Sequence, residues 1–161
     1  MSKLKAIVVY FSLEGNSKYV ADEISEYVGA DTLRLEPVKD YPKGNVSKFF
    51  WGGKSVVFGE KPKLASYNFD AKEYDVIIIG TPVWAGSFAP PVKTFLGEND
   101  LSNKKIALFA CNFGGSADKC FSKLQQEISN CKVVATLTLT DPKGKQLAES
   151  SAKIKEFCDK L

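Results

Sequence analysis

The chain has 161 residues, 44% hydrophobic and 25% charged, a size and balance that suit one soluble globular domain spanning residues 1–161. Its formal charge of +3 is carried by lysine, with Arg34 the only arginine, and is too sparse for the basic stripe that nucleic-acid binding needs. Histidine is absent, which excludes Ser-His-Asp and Cys-His nucleophilic catalysis and removes the commonest general base, so any chemistry resides in a cofactor.

The opening MSKLKAIVVYF carries an apolar run too short to cross a membrane and no small-residue cleavage pattern. A cytoplasmic location without membrane association is expected. Cys111, Cys120, Cys131 and Cys158 match neither a CxxC pair nor a zinc-ligand spacing, so free thiols are expected and no metal site.

Taken in order, Ala6-Ile7-Val8-Val9-Tyr10-Phe11 reads as a buried parallel strand. Ser12-Leu13-Glu14-Gly15-Asn16-Ser17 is a hydroxyl- and glycine-bearing turn, and from Ser17 the spacing of Val20, Ile24, Tyr27 and Val28 predicts a helix. Strand, glycine loop and helix in that order aim free backbone N–H groups at one point, which attracts a phosphate; an ordinary βα turn uses the same residues. Gly29 suits a C-cap, and Ala30–Leu35 reads as a second strand.

Beyond the Pro37, Pro42 and Gly44 loop, Asn45 could cap a helix with Val46, Phe49, Phe50 and Val57 as its apolar positions. Gly53-Lys54-Ser55 fails as a phosphate-binding Walker loop because Lys48 stands where its first glycine belongs. Residues 59–70 form a polar connection. Tyr74–Gly80 is the clearest buried strand; Thr81–Ser87 follows as a loop, and a helix begins near Pro90-Pro91. Trp84 packs against that helix or offers a flat wall to a planar ligand.

Lys105–Ala110 is a fourth strand, followed by a second glycine-rich turn over residues 111–116 and a helix bearing Cys120, Leu124 and Ile128. Val133–Leu139 is a fifth strand. Asp141-Pro142 opens a last helix, with Leu147, Ser151, Ile154, Cys158 and Leu161 on one side. The whole is an α/β, doubly wound, five-stranded parallel sheet of order 2-1-3-4-5 with helices on both faces. In that order the loops 12–17, 81–87 and 111–116 meet beyond the carboxyl ends of strands one, three and four, where such sheets bind ligands. A receiver domain would need acidic residues at Phe11-Ser12 and an Asp at Gly80-Thr81. A small phosphatase would need Arg six positions after Cys, and a dinucleotide fold GxGxxG after strand one. All three are missing.

The segment Phe11–Ser17 resembles the FMN-phosphate loop of flavodoxins, [ST]-x-[ST]-G-[NK]-[ST]. Thr81-Pro82-Val83-Trp84-Ala85-Gly86-Ser87-Phe88-Ala89-Pro90-Pro91 is similar to their flavin-contacting loop, and Phe49–Lys54 to another segment frequent among them. The resemblance runs the length of the chain. It implies FMN as cofactor, with Ser12, Asn16, Ser17 and the backbone amides of residues 13–17 (Leu13, Glu14, Gly15, Asn16 and Ser17) around the phosphate. It implies Thr81, Pro82 and Val83 beside the ribityl chain and ring edge, Trp84 on the isoalloxazine, and Ala85-Gly86 facing N5. Cys111, Asn112, Phe113, Gly114 and Gly115 would cover the pyrimidine end. Phe113 forms a second aromatic wall or packs inward; Cys111 is a spacer rather than a redox thiol.

The implied function is a flavodoxin-type electron carrier, shuttling electrons through the flavin semiquinone and hydroquinone between a reductase and an acceptor protein, as a monomer. The alternative is a small FMN-dependent NAD(P)H:quinone-type oxidoreductase. The sequence departs from the pattern twice. Glu14 replaces a hydroxyl residue and is expected to turn its carboxylate into water, and the chain is slightly basic where electron-carrier flavodoxins are acidic.

Overall fold

Apolar strands separated by amphipathic helices can bury both faces of a sheet when the strands run parallel and the helices cross over between them. The computed structural model, which describes residues 4–39, 41, 61–142 and 147–161, is built this way. Strand β1 (Ala6–Tyr10) leads to helix α1 (Asn16–Val28) and strand β2 (Asp31–Arg34). A short 3-10 turn at Ala71–Glu73 precedes β3 (Val76–Trp84), which folds back as β4 (Ser87–Phe88) before helix α2 (Pro90–Glu98). Strand β5 (Lys105–Asn112), helix α3 (Asp118–Glu127), strand β6 (Lys132–Thr140) and helix α4 (Leu147–Cys158) follow. The helix expected from Asn45 and the Phe49-Phe50-Trp51 segment lie outside the described residues.

The strand order is β2-β1-β3-β5-β6, all parallel, with β4 antiparallel to the end of β3. This is the expected 2-1-3-4-5 winding with one addition. Thr81–Trp84, expected in a loop, continues β3, because Thr81 and Pro82 stay in register with Ala110 and Cys111 of β5. Only Ala85 (φ +49°) and Gly86 (φ +71°) turn, and two successive positive φ values make the tight hairpin that matches the twist of the flanking strands. A strand as short as β4 has no periodicity to read.

Alternation along the strands divides the core. Ile7, Val9, Ile77, Ile79, Ile106 and Leu108 pack under α2 and α3, whose Val92, Phe95, Cys120 and Leu124 are buried against them. Val8, Ile78, Ala107 and Phe109 face α1 and α4 through Val20, Ile24, Ile154 and Phe157. Gly80 is required here: a Cβ on it would stand 1.9 Å from Phe109 Cζ, so the Phe109 ring occupies the space a side chain would fill.

Two helix faces differ from the expected ones by one residue. In α1 the buried set is Ser17, Val20, Ala21 and Ile24, while Tyr27 is exposed and donates its hydroxyl to Asp159 at 3.0 Å. In α4 Ser150, Ile154, Phe157 and Cys158 are buried and Ser151 is exposed. Phe157, not Ser151, sets the apolar stripe of α4. All four cysteines are free thiols. Among the described residues no helix is long and apolar enough to cross a membrane.

Candidate functional site

The chain runs from β1 to β2 on one side and back to β3 on the other, so a crevice opens at the carboxyl ends of β1 and β3. The first loop enters it from β1. Phe11 N–H donates to the Gly80 carbonyl at 3.2 Å, which holds the loop against β3. The Ser12 hydroxyl accepts the Gly15 N–H at 3.1 Å, and the Ser12 carbonyl accepts from Arg34 Nη2 at 3.0 Å. Gly15 takes φ +103° and is the N-cap of α1, so no cap side chain reaches the helix amides, and no acidic residue occupies the first turn. The opening N–H groups of an α-helix have no intrahelical acceptors and carry the positive end of its dipole. That end of α1 therefore offers donors to an anion.

Ser17 adds a further feature. Its hydroxyl is buried and meets no hydrogen-bond partner among the described residues beyond the weak one offered by the Cys111 thiol, although a buried hydroxyl normally has a full partner. Burial pushes the pKa of that Cys111 thiol up to about 12, against a smaller lowering from its hydrogen bond with Ser17. At neutral pH that thiol is protonated and unreactive. Asn16 is half-buried beside the same end of the helix, and Glu14 is exposed.

The second loop is closed on itself. Thr81 is fully buried; its hydroxyl accepts the N–H of Ala89, the N-cap of α2, at 2.9 Å and donates to the Pro82 carbonyl at 2.8 Å. Pro82, Val83 and Trp84 are half-buried along the strand. The Trp84 ring stands edge-on to Phe11 (centroids 5.5 Å apart, 88°) and to Tyr41 (5.1 Å, 86°), and Phe11 meets Tyr41 at 5.9 Å. Edge-to-face packing of this kind fixes the orientation of each ring. Ala85 is exposed at the hairpin turn, and the alkyl chain of Lys119 from α3 lies against Gly86, its Cδ 3.4 Å from where a Cβ would stand.

The third loop leaves β5 at Cys111. Asn112 is buried and braces it: its amide nitrogen donates to the Gly115 carbonyl at 3.1 Å, and its amide oxygen accepts from the Thr140 hydroxyl at 2.9 Å. Gly114 (φ +155°) and Gly115 (φ +83°) carry the turn, and Phe113 is 62% exposed, so its ring is not part of the core. The structure thus brings the three loops to one end of the sheet. It also adds three residues that the sequence reading did not place there: Arg34 at the first loop, Tyr41 beside Trp84, and Lys119 over the hairpin. A cleft of about 450 Å³ beside the first loop is lined by Ser12, Leu13, Arg34, Glu36, Tyr41 and Ala65, among others.

The parallel sheet of order β2-β1-β3-β5-β6, with three loops gathered beyond the carboxyl ends of β1, β3 and β5, defines an α/β domain of the doubly wound class. The chain belongs to the flavodoxin family, whose model, described as Flavodoxin, matches residues 5–157. No protein of curated function matches it in sequence. Among solved structures, a proposed flavoprotein from Bacteroides uniformis ATCC 8492 shares 23% identity at a TM-score of 0.84, over 99% of this chain and 100% of that one. A Lactobacillus acidophilus NCFM flavoprotein in complex with FMN shares 20% identity at a TM-score of 0.75, over 92% and 99%. The two-electron-reduced flavodoxin of Megasphaera elsdenii shares 19% identity at a TM-score of 0.55, over 94% and 98%. At these identities the likeness is one of fold.

Proposed function

We propose that this chain binds FMN and serves as an electron carrier between a reductase and an acceptor protein. One observation carries the reading: an α1 N-terminus without a side-chain cap, and a buried Ser17 hydroxyl with no partner beyond the Cys111 thiol, lie where α1 begins, after the first loop of a flavodoxin-family fold. A phosphate dianion supplies what both lack, namely acceptors for N–H and O–H donors and a charge that the helix dipole favours. The FMN complex of the Lactobacillus acidophilus protein supports the choice of ligand.

When bound, FMN supplies one- and two-electron redox chemistry. The chain supplies binding and environment. Ser17 and the first amides of α1 would hold the phosphate. Trp84, kept edge-on by Phe11 and Tyr41, and the loop carrying Phe113 would border the ring system. The Ala85-Gly86 turn, held by its hairpin, would present backbone groups to the ring edge, and the Lys119 side chain beside it places a cation nearby. With no histidine in the chain and Cys111 locked as a thiol, the site has no obvious general base, and a carrier needs none.

The test is a visible spectrum of the purified protein during stepwise anaerobic reduction, followed in a separate sample by addition of NADPH. Flavin bands that disappear in two resolved one-electron steps, and that NADPH leaves intact, are the expected result. Rapid bleaching by NADPH with turnover on added quinone would instead make the protein an oxidoreductase. A protein that takes up no FMN would overturn the cofactor reading.

A further inference from the structure

We infer that Arg34 is a positioning residue for the phosphate loop, standing in for a strand donor that the sequence removes. The argument begins with the β1–β2 ladder. Tyr10 pairs with Arg34, and the Leu35 N–H donates to the Tyr10 carbonyl at 2.7 Å. In a parallel ladder the next bond of this series runs two residues on, from the N–H of residue 37 to the carbonyl of Ser12. Residue 37 is Pro37, which has no N–H. The Ser12 carbonyl, in a residue only 5% exposed, would lose its ladder partner at the point where the phosphate loop begins.

Arg34 fills that vacancy with its side chain: Nη2 donates to the Ser12 carbonyl at 3.0 Å. The consequence follows from peptide geometry. In a planar trans peptide the C=O and the N–H of the next residue point in opposite directions. Anchoring the Ser12 carbonyl toward β2 therefore turns the Leu13 N–H away from β2. The same guanidinium polarises that peptide, which strengthens its N–H as a donor. Ser12 is thus held at both ends, by Arg34 on its carbonyl and by the Gly15 N–H on its hydroxyl, and the loop is fixed in shape before a ligand arrives.

A guanidinium suits this task because its charge is permanent and its donors lie in a rigid fork; a lysine offers the charge without the fork. The inference rests on the FMN reading above but concerns only the phosphate end of the ligand. Riboflavin, which lacks the phosphate, is the control that separates the two. Apoprotein of the wild type and of Arg34→Met and Arg34→Lys is titrated with FMN and with riboflavin, following the quenching of flavin fluorescence. Arg34→Met is expected to weaken FMN binding by about tenfold or more, the scale of a charge-assisted hydrogen bond, and riboflavin binding by less than about twofold. Arg34→Lys is expected to fall between the wild type and Arg34→Met, and thermal unfolding of each apoprotein confirms a folded sample.

Equal losses for FMN and riboflavin would show that Arg34 merely supports the fold, and would overturn the inference. So would FMN binding by Arg34→Met at wild-type strength. A wild-type chain that takes up no FMN would overturn the cofactor reading and this inference together, so the two failures are distinguishable. If Arg34→Met does not fold, Arg34→Lys decides alone: an unchanged FMN-to-riboflavin ratio overturns the inference, and a lowered ratio supports it.

Discussion

The first and second loops leave adjacent parallel strands at the same end of the sheet, yet they dispose of their polar groups in opposite ways. In the second, Thr81 spends its hydroxyl twice within the protein, accepting the N–H of Ala89 just before α2 and donating to the Pro82 carbonyl. In the first, α1 begins at a glycine that offers no side-chain cap, and Ser17 buries a hydroxyl with no partner beyond the Cys111 thiol. A polar group buried and satisfied stabilises the fold, whereas one buried and unsatisfied costs stability until a ligand completes it. The second loop is scaffold that holds the aromatic rings, and under the proposed function the first is the one left open to a phosphate.

Substitutions can break that contrast or sharpen it, beginning with the largest effect. Gly80→Ala places a Cβ within 2.5 Å of three Phe109 ring atoms beneath the second loop. It is expected to cost about 3 kcal/mol, at the upper end for overpacking a core, measured by urea unfolding. Thr81→Val leaves the buried Ala89 N–H without its acceptor. An expected loss of about 1–3 kcal/mol of apoprotein stability should accompany an FMN affinity that barely changes.

Ser17→Ala should do the reverse. Apoprotein stability is expected to hold or rise by up to about 1 kcal/mol, because a buried hydroxyl with only a weak thiol partner is removed and alanine favours the helix. FMN affinity should fall about tenfold while riboflavin affinity holds. If Thr81→Val and Ser17→Ala shift stability and affinity in the same proportion, the contrast between the loops is wrong. Gly86→Ala should cost about 1 kcal/mol, since φ is +71° there and the Lys119 chain must shift.

The last effect is absent at neutral pH. Burial and the Glu98 carboxylate push Tyr67 up to about 12, and burial and Asp31 push Tyr74 to about 12, from an unfolded value of 10.0. Burial likewise raises Cys111 from 9.0 to about 12. Each group is bound more tightly to its proton when folded. Their contribution is complete below the unfolded values and is lost as the pH climbs from about 9 toward 12. Denaturation midpoints should be level at pH 7–8 and fall steeply above pH 10; a level curve to pH 12 would contradict it. Cys111 should resist alkylation at pH 8 in the native protein and react on unfolding.

Much of this was legible in the chain itself. Apolar runs such as Val76–Ile79 and Ile106–Phe109 can be buried on both faces only in a parallel sheet, and the spacing of Val20 and Ile24 could only be helical. Glycine at positions 15 and 86 marked both turns because only a residue without Cβ takes positive φ cheaply. The helix faces were less legible: Tyr27 and Ser151 satisfy the helical period almost as well as Ala21 and Ser150, and only contact with the sheet separates them.

The residue types thus determined the elements, their order and the three loops that share one end of the sheet, because periodicity and turn chemistry are local properties. What the tertiary structure alone decided is which polar groups are spent and which are left open. Nothing in the sequence near Ser17 says that its hydroxyl has no partner beyond a thiol, or that the Thr81 hydroxyl has two. Nor does Arg34, 22 residues from Ser12, announce that it answers the missing N–H of Pro37. Hydrogen bonding of a buried group is settled by what the fold brings within about 3 Å of it, and that neighbourhood is assembled from strands and loops far apart in the chain.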